Sequence, residues 1–264
     1  MKLLSPTSYL PSPKKRFYLP PKAWTASYPQ LDEADTHHCA NVLRMEVGDQ
    51  IMLFDGCGTE APATIKAFHK NSGHHAELAI GAHSTTSRAR CQLTLAQAVP
   101  KARNMDLIIQ KAVELGASRI TPLLSDRTII RCHDKADTLH KQERWQAIAI
   151  EACKQSGQNW LPVVELPCQP KDFFTTTNKN HLLLIASLQP DARSIKKILA
   201  DDAIVRGSLP TEVTVMIGPE GDFTPAENAQ AKNFGFQPIH LGPIILRTET
   251  AALYCLSVLG YEFF

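Results

Sequence analysis

At 264 residues the chain is long for one domain and comfortable for two, and 44% hydrophobic with 20% charged residues is the make-up of a folded globular protein. No run of about 18 apolar residues exists to form a membrane span, and the opening MKLLSPTSYLPSPKKRF is too broken by Ser and Pro for a secretory signal, so a cytoplasmic protein is expected. A net charge of +2 announces no polyanionic partner, but Lys and Arg outnumber acidic residues 10 to 8 in residues 1–90 and 10 to 7 in 91–160, against 8 to 11 in 161–264, which permits a basic face on the first part.

Residues 1–85 read as a small β domain. Apolar, β-forming segments at Arg16–Leu19, Gln50–Phe54 and Ala63–Ala67 are separated by turn signals at Gly48-Asp49, Asp55-Gly56-Cys57-Gly58 and Asn71-Ser72-Gly73. One helix is expected over Asp35–Arg44. Short strands at this spacing suggest a compact barrel. The polar stretch His83–Arg90 has no apolar periodicity and reads as a linker. From Cys91 the pattern alternates: strands at Gln92–Val99, Arg119–Leu124, Pro162–Leu166, His181–Ser187, Glu212–Ile217 and Pro238–Leu241, with helices at Met105–Leu115, Lys141–Gln155 and Pro225–Phe234. The last opens with Thr224, Pro225 and Glu227, a capping-box sequence. Near-continuous apolar strands alternating with helices are the grammar of an α/β domain with a parallel sheet, here over 91–264.

The seven cysteines are odd in number and none forms a C-x-x-C pair, which argues against a disulfide framework or a zinc ribbon. His37-His38 and His74-His75 lack acidic or histidine partners at a metal-ligand offset, so no metal is expected. Ser156 and Ser187 have no nucleophile-elbow context.

Two segments carry candidate chemistry. In Val215–Thr224 an apolar strand ends in Gly218-Pro219-Glu220-Gly221 before the capped helix, and ligands of parallel sheets bind beyond strand C-termini. Gly218 and Gly221 would let backbone approach a ligand. By composition alone the ordinary strand–helix turn is the favoured reading. In Leu241–Ala252 a second strand ends in Gly242, and Arg247, Thr248 and Glu249 crowd the start of an apolar helix. A cation there opposes the helix dipole. Arg247 serves an anion, or it reaches a carboxylate such as Glu249 or Glu220.

Gly218-Pro219-Glu220-Gly221 followed by Leu241-Gly242-Pro243 and Leu246-Arg247-Thr248-Glu249-Thr250-Ala251 resembles the RsmE family of 16S ribosomal RNA uridine N3-methyltransferases. Arg16-Phe17-Tyr18, His38 with Val42-Leu43-Arg44, Gln110–Gly116, and Arg144-Trp145 with Glu151-Ala152 agree along nearly the whole length. The resemblance implies a PUA-like N-terminal RNA-binding β-barrel, a SPOUT domain with a trefoil knot, S-adenosyl-L-methionine as cofactor, 16S rRNA in the small ribosomal subunit as partner, and a homodimer. It assigns the donor pocket to Leu188, Ile217, Gly218, Pro219, Gly221, Leu241, Gly242, Leu246 and Thr248. Arg247 becomes the candidate for anion stabilisation or phosphate placement, and Glu220 a proton acceptor or equally a structural partner for Arg247; Arg44, Lys101, Lys111 and Arg127 are candidate RNA contacts, as are Lys14 and Arg16 of the basic run beside Phe17 and Tyr18, which reads otherwise as a solvated arm. Three positions depart from the family: Ile244 and Gln158 stand where relatives often carry Arg, and Asp222 where a second Gly is common. A non-catalytic RNA-binding assembly protein and a SPOUT methylase of another RNA position are the competing readings.

Overall fold

A computed structural model of the chain describes residues 15–69, 74–101, 104–130, 132 and 134–264. The chain divides into two compact units: Met1–Ser87 with Gly157–Trp160, and Arg88–Ser156 with Leu161–Phe264.

In the first unit β1 (Arg16–Tyr18) is followed by a helical turn α1 (Pro21–Trp24), β2 (Gln30–Leu31) and α2 (Glu33–His37). Asp32 caps α2 by accepting from the Asp35 amide at 2.8 Å, so the helix starts earlier than expected. It then widens into a π-helical turn, His38–Val42, and the chain leaves it through Arg44 at φ 51°. β3 (Gln50–Phe54), β4 (Thr59–His69), β5 (His75–Ile80) and β6 (Ser84–Thr85) complete the unit. The sheet runs β1-β3-β4-β5-β2, with β6 paired to β4, so part of the expected linker is strand. Alternate residues of five strands meet in one core: Phe17, Leu31, Ile51, Leu53, Ile65 and Leu78 are all buried there with Cys39 and Met45. That convergence is what a barrel-like module requires of a period-two pattern.

Gly157–Trp160 belongs to this unit by several bonds. The Gly58 amide donates to the Asn159 carbonyl at 3.0 Å, and Trp160 Nε1 donates to the Thr86 carbonyl at 2.9 Å. Arg16 is buried, donating to Glu60 Oε2 at 2.7 Å and Asn159 Oδ1 at 2.6 Å. Gly58, at φ 95°, lies under the Trp160 ring, where an added Cβ would stand 2.5 Å from ring carbon.

The second unit runs β7 (Gln92–Ala98), α3 (Asn104–Glu114), β8 (Ala117–Leu123), α4 (Lys135–Ser156), β9 (Val163–Val164), α5 (Pro170–Thr176), β10 (Leu182–Ala186), β11 (Arg193–Ser194), α6 (Ile195–Arg206), β12 (Glu212–Ile217), α7 (Pro225–Phe234), β13 (Gln237–His240) and α8 (Thr248–Phe263). The seven strands are parallel in the order β11-β13-β10-β12-β7-β8-β9. Each expected strand is present, Pro162–Leu166 contracting to two residues. Helices α5 and α6 went unread, although Ser194 accepts from the Lys197 amide and Gly207 closes α6 in the left-handed region. The capping box at Thr224 and Glu227 forms in both directions. Leu183, Ile185, Met216, Phe223 and Phe236 fill a core on one side of the sheet. The consequence for function is that β13, β10 and β12 are neighbours, so three loops emerge together at their C-terminal ends.

Candidate functional site

Those three loops enclose a cleft of about 400 Å³, within the usual range for small-molecule sites. The end of β10 contributes Ser187, Leu188 and Gln189. The end of β12 contributes Ile217, Gly218, Pro219, Glu220 and Asp222. The end of β13 and its loop contribute His240, Leu241, Gly242, Ile244, Ile245, Leu246, Arg247 and Thr248. Every expected donor contact except Gly221 therefore lines one cleft, together with both candidate catalytic side chains. Gly221 faces elsewhere: its carbonyl accepts from Arg127 Nη1 at 2.5 Å.

The floor is tied by a buried polar chain. Gln97 is fully buried at the end of β7 and donates through Nε2 to the Ala98 carbonyl and, at 2.9 Å, to Thr248 Oγ1. The Thr248 hydroxyl in turn donates to the Gly218 carbonyl at 2.6 Å. Thr248 is thus a strut across the cleft, with its hydroxyl committed to scaffold. Gln97 escaped the sequence reading; a lone amide inside the apolar run Leu93–Val99 was its only signal.

Gly242 has φ 116° and open space where a Cβ would point. An L-residue would be strained there, so glycine is needed for the turn and not for clearance. At Gly218 an added Cβ would stand 3.1 Å from Asp222 Oδ1. Asp222 is in the left-handed region at φ 61° and accepts from its neighbour's amide, Phe223 N, at 2.7 Å. Burial raises its carboxyl above the ordinary value; the Phe223 amide and the Arg127 guanidinium oppose this, and Glu227 adds to it.

Arg247 is the N-cap residue of α8 and makes no side-chain cap. Its side chain is exposed at the cleft and, among the described residues, pairs with neither Glu220 nor Glu249. Glu220 Oε1 instead accepts from the Lys101 amide at 2.9 Å. Of the expected RNA contacts, Arg44 and Lys101 are exposed, and Lys111 is half-buried and paired with Glu114. Arg16 is buried instead: its guanidinium is held inside by Glu60 and Asn159 and lies over the Phe54 ring. Lys14 lies outside the described residues. Gln158 closes its own turn by accepting from the Trp160 amide, and Ile244 stands exposed at the cleft mouth. No group of His, Cys, Asp or Glu among the described residues could hold a metal.

A small β module and a parallel sheet with a cleft at three adjacent strand ends describe a cofactor-binding α/β enzyme with an attached recognition domain. Residues 87–260 match the RNA methyltransferase domain and residues 31–74 the RNA methyltransferase PUA domain, which gives the class. Ribosomal RNA small subunit methyltransferase E of Bacillus subtilis is 32% identical over 243 residues, 88% of this chain and 93% of that protein. Its namesake from Synechocystis is 31% identical over 86% of this chain and 71% of that protein. The Neisseria gonorrhoeae structure of that name, bound to S-adenosyl methionine, superposes with a TM-score of 0.81 at 33% identity, covering 94% and 98% of the two chains. A Legionella pneumophila methyltransferase with bound SAM gives 0.82 at 33% identity, covering 94% and 97%. The chain belongs to the ribosomal RNA small subunit methyltransferase E family.

Proposed function

We propose that this chain methylates N3 of a uridine in 16S ribosomal RNA, with S-adenosyl-L-methionine as donor, acting on the small subunit in the cytoplasm. The observation that carries the reading is Arg247: a guanidinium free of any carboxylate among the described residues, set at the mouth of a cleft built from three strand ends. The cleft fits the donor in its chemistry. Apolar side chains at Leu188, Ile217 and Leu241 offer a face for an adenine ring, and the loop backbones around Gly218, Leu241–Gly242 and Leu246 offer its polar edge hydrogen bonds.

The donor supplies an activated methyl group on a sulfonium. The protein must orient a flipped base toward it and manage one proton. Attack by uridine N3 requires loss of the imide proton and leaves charge on the pyrimidine, which Arg247 is placed to stabilise. Glu220 lines the same cleft and is the proton acceptor in this reading; its Oε1 is already oriented by the Lys101 amide. Arg44 and Lys101, exposed and without ion pairs among the described residues, supply phosphate contacts. For a homodimer, α8 offers Tyr254 at 44% and Tyr261 at 88% exposure, while Leu256 packs inside its own unit.

The deciding experiment incubates the protein with S-adenosyl-L-methionine and unmethylated small subunits or naked 16S rRNA, then maps reverse-transcription stops. N3 methylation blocks Watson–Crick pairing, so one donor-dependent stop at a uridine is expected. A stop at another base type would make this a methylase of a different position. Donor binding without any stop, or no donor binding at all, would leave a non-catalytic assembly protein.

A further inference from the structure

The loop Gly218–Thr224 is gripped from outside the cleft by two consecutive residues of the segment after β8. The Asp126 amide donates to Glu227 Oε1 at 2.9 Å, and Arg127 Nη1 donates to the Gly221 carbonyl at 2.5 Å. Glu227 is only 6% exposed, and its other oxygen accepts from the Thr224 amide at 2.8 Å and the Thr224 hydroxyl at 3.0 Å. The Arg127 stem lies against Gly221, where an added Cβ would meet Cδ at 3.5 Å. Between these two anchors sits Asp222 in a left-handed backbone that a non-glycine residue adopts at a cost. The turn is closed from within by the Asp222 amide donating to the Pro219 carbonyl at 2.9 Å and the Phe223 amide donating to Asp222 Oδ1 at 2.7 Å, and from outside by the contacts of Asp126 and Arg127.

We infer that Asp126 and Arg127 form a positioning clamp, which fixes the strained Gly221–Asp222 turn and so sets the shape of the donor side of the cleft. Arg127 acts through the loop and touches no donor atom. This replaces its reading as an RNA contact, and it rests on the assignment of the cleft to S-adenosyl-L-methionine. The geometry also explains why Gly221 stands outside the cleft lining in the middle of the most distinctive motif: its backbone carbonyl is the handle.

A double-mutant cycle on the full chain tests it, with Arg127→Ala and Asp222→Gly, alone and combined, titrated with S-adenosyl-L-methionine by calorimetry. Glycine takes the left-handed turn without strain, so the loop no longer depends on being held. Arg127→Ala is expected to weaken donor binding about tenfold beside Asp222, the worth of one charge-assisted hydrogen bond, and by much less in the Asp222→Gly background. It should raise KM for the donor more than it lowers kcat, and Arg127→Lys should recover part of the loss. Melting temperatures accompany each variant; should Arg127→Ala not fold, the same cycle with Arg127→Lys carries the test. Equal losses in both backgrounds, or unchanged donor affinity with weakened 16S rRNA binding, would overturn the clamp while leaving the cleft assignment standing. A wild-type protein that binds no donor would remove the clamp and the cleft assignment together.

Discussion

At the scale of single residues, the cleft carries positions where local rules are broken. Arg247 occupies a helix N-cap, where Ser, Thr, Asp or Asn would stabilise α8 by about 1 kcal/mol. Arg247→Ala is therefore expected to leave the melting temperature and donor affinity nearly unchanged while single-turnover methylation falls at least a hundredfold. Arg247→Lys should also be impaired, because an ammonium cannot reproduce a planar fork of donors. Loss of stability with normal turnover would return Arg247 to the scaffold. Asp222 makes a pH-dependent prediction. Burial holds its folded carboxyl above the ordinary 3.8, so the stability tied to the neutral form is fully present below 3.8 and is lost as pH rises through the folded value. Asp222→Asn keeps an acceptor for Phe223 N and meets the left-handed backbone as Asp does, but has no charge to desolvate. It is expected to melt above wild type at pH 7, the gap closing as pH falls toward 4; a constant gap would contradict the assignment. Arg247 and the glycine-ended strands drew notice in the sequence as a cation against a helix dipole and as glycines at strand ends, but those features alone left scaffold readings open, and only the family resemblance singled them out. Gln97 drew no notice, because its role exists only when β7 meets the start of α8.

At the scale of elements, legibility follows how local the signal is. The capping box at Thr224 needs only four consecutive residues, and the Pro225–Phe234 helix forms as read. Strands such as Glu212–Ile217 are apolar enough to be unmistakable. The π-helical turn before Arg44 and the two-residue strands β2, β6 and β11 depend on partners distant in sequence, and no local pattern encodes them. The cap and the clamp share Glu227, which separates their energetics. Thr224→Ala should cost about 1 kcal/mol of stability. Glu227→Ala should cost about 2 kcal/mol or more, because it strips acceptors from the Asp126 and Thr224 amides at a buried site. Denaturant unfolding of the two variants tests the order; an equal loss would mean that the Asp126 contact contributes nothing.

At the scale of the whole molecule, one unit carries the match to the RNA methyltransferase PUA domain and the other carries the cleft. Removal of residues 1–85 is expected to weaken 16S rRNA binding while donor binding survives, since every residue lining the cleft belongs to the second unit. The truncated chain should also become sensitive to proteolysis at 157–160, where backbone and side chains lose Gly58, Thr86 and Arg16 as partners. Loss of donor binding in a folded truncation would place the cleft wrongly. The sequence changes at Cys91 from short strands separated by turns to alternating strands and helices, and the two units part at Ser87–Arg88. The transfer of Gly157–Trp160 was invisible, because four residues with no distinctive composition follow a long helix and carry no mark of where they pack.

That transfer also imposes an order on biosynthesis. A chain leaves the ribosome from its N-terminus, and domains generally fold as they emerge. Here the first unit cannot finish when its own residues are out: Gly58 lacks the Asn159 carbonyl, and the buried Arg16 has Glu60 but not Asn159. Both wait until Trp160 has cleared the exit tunnel, by which time β7, α3, β8 and α4 have already been made. Nascent chains stalled with residues 157–160 still inside the tunnel should therefore carry an N-terminal module that is collapsed yet unlocked, and only chains long enough to bring Trp160 out of the tunnel should lock it.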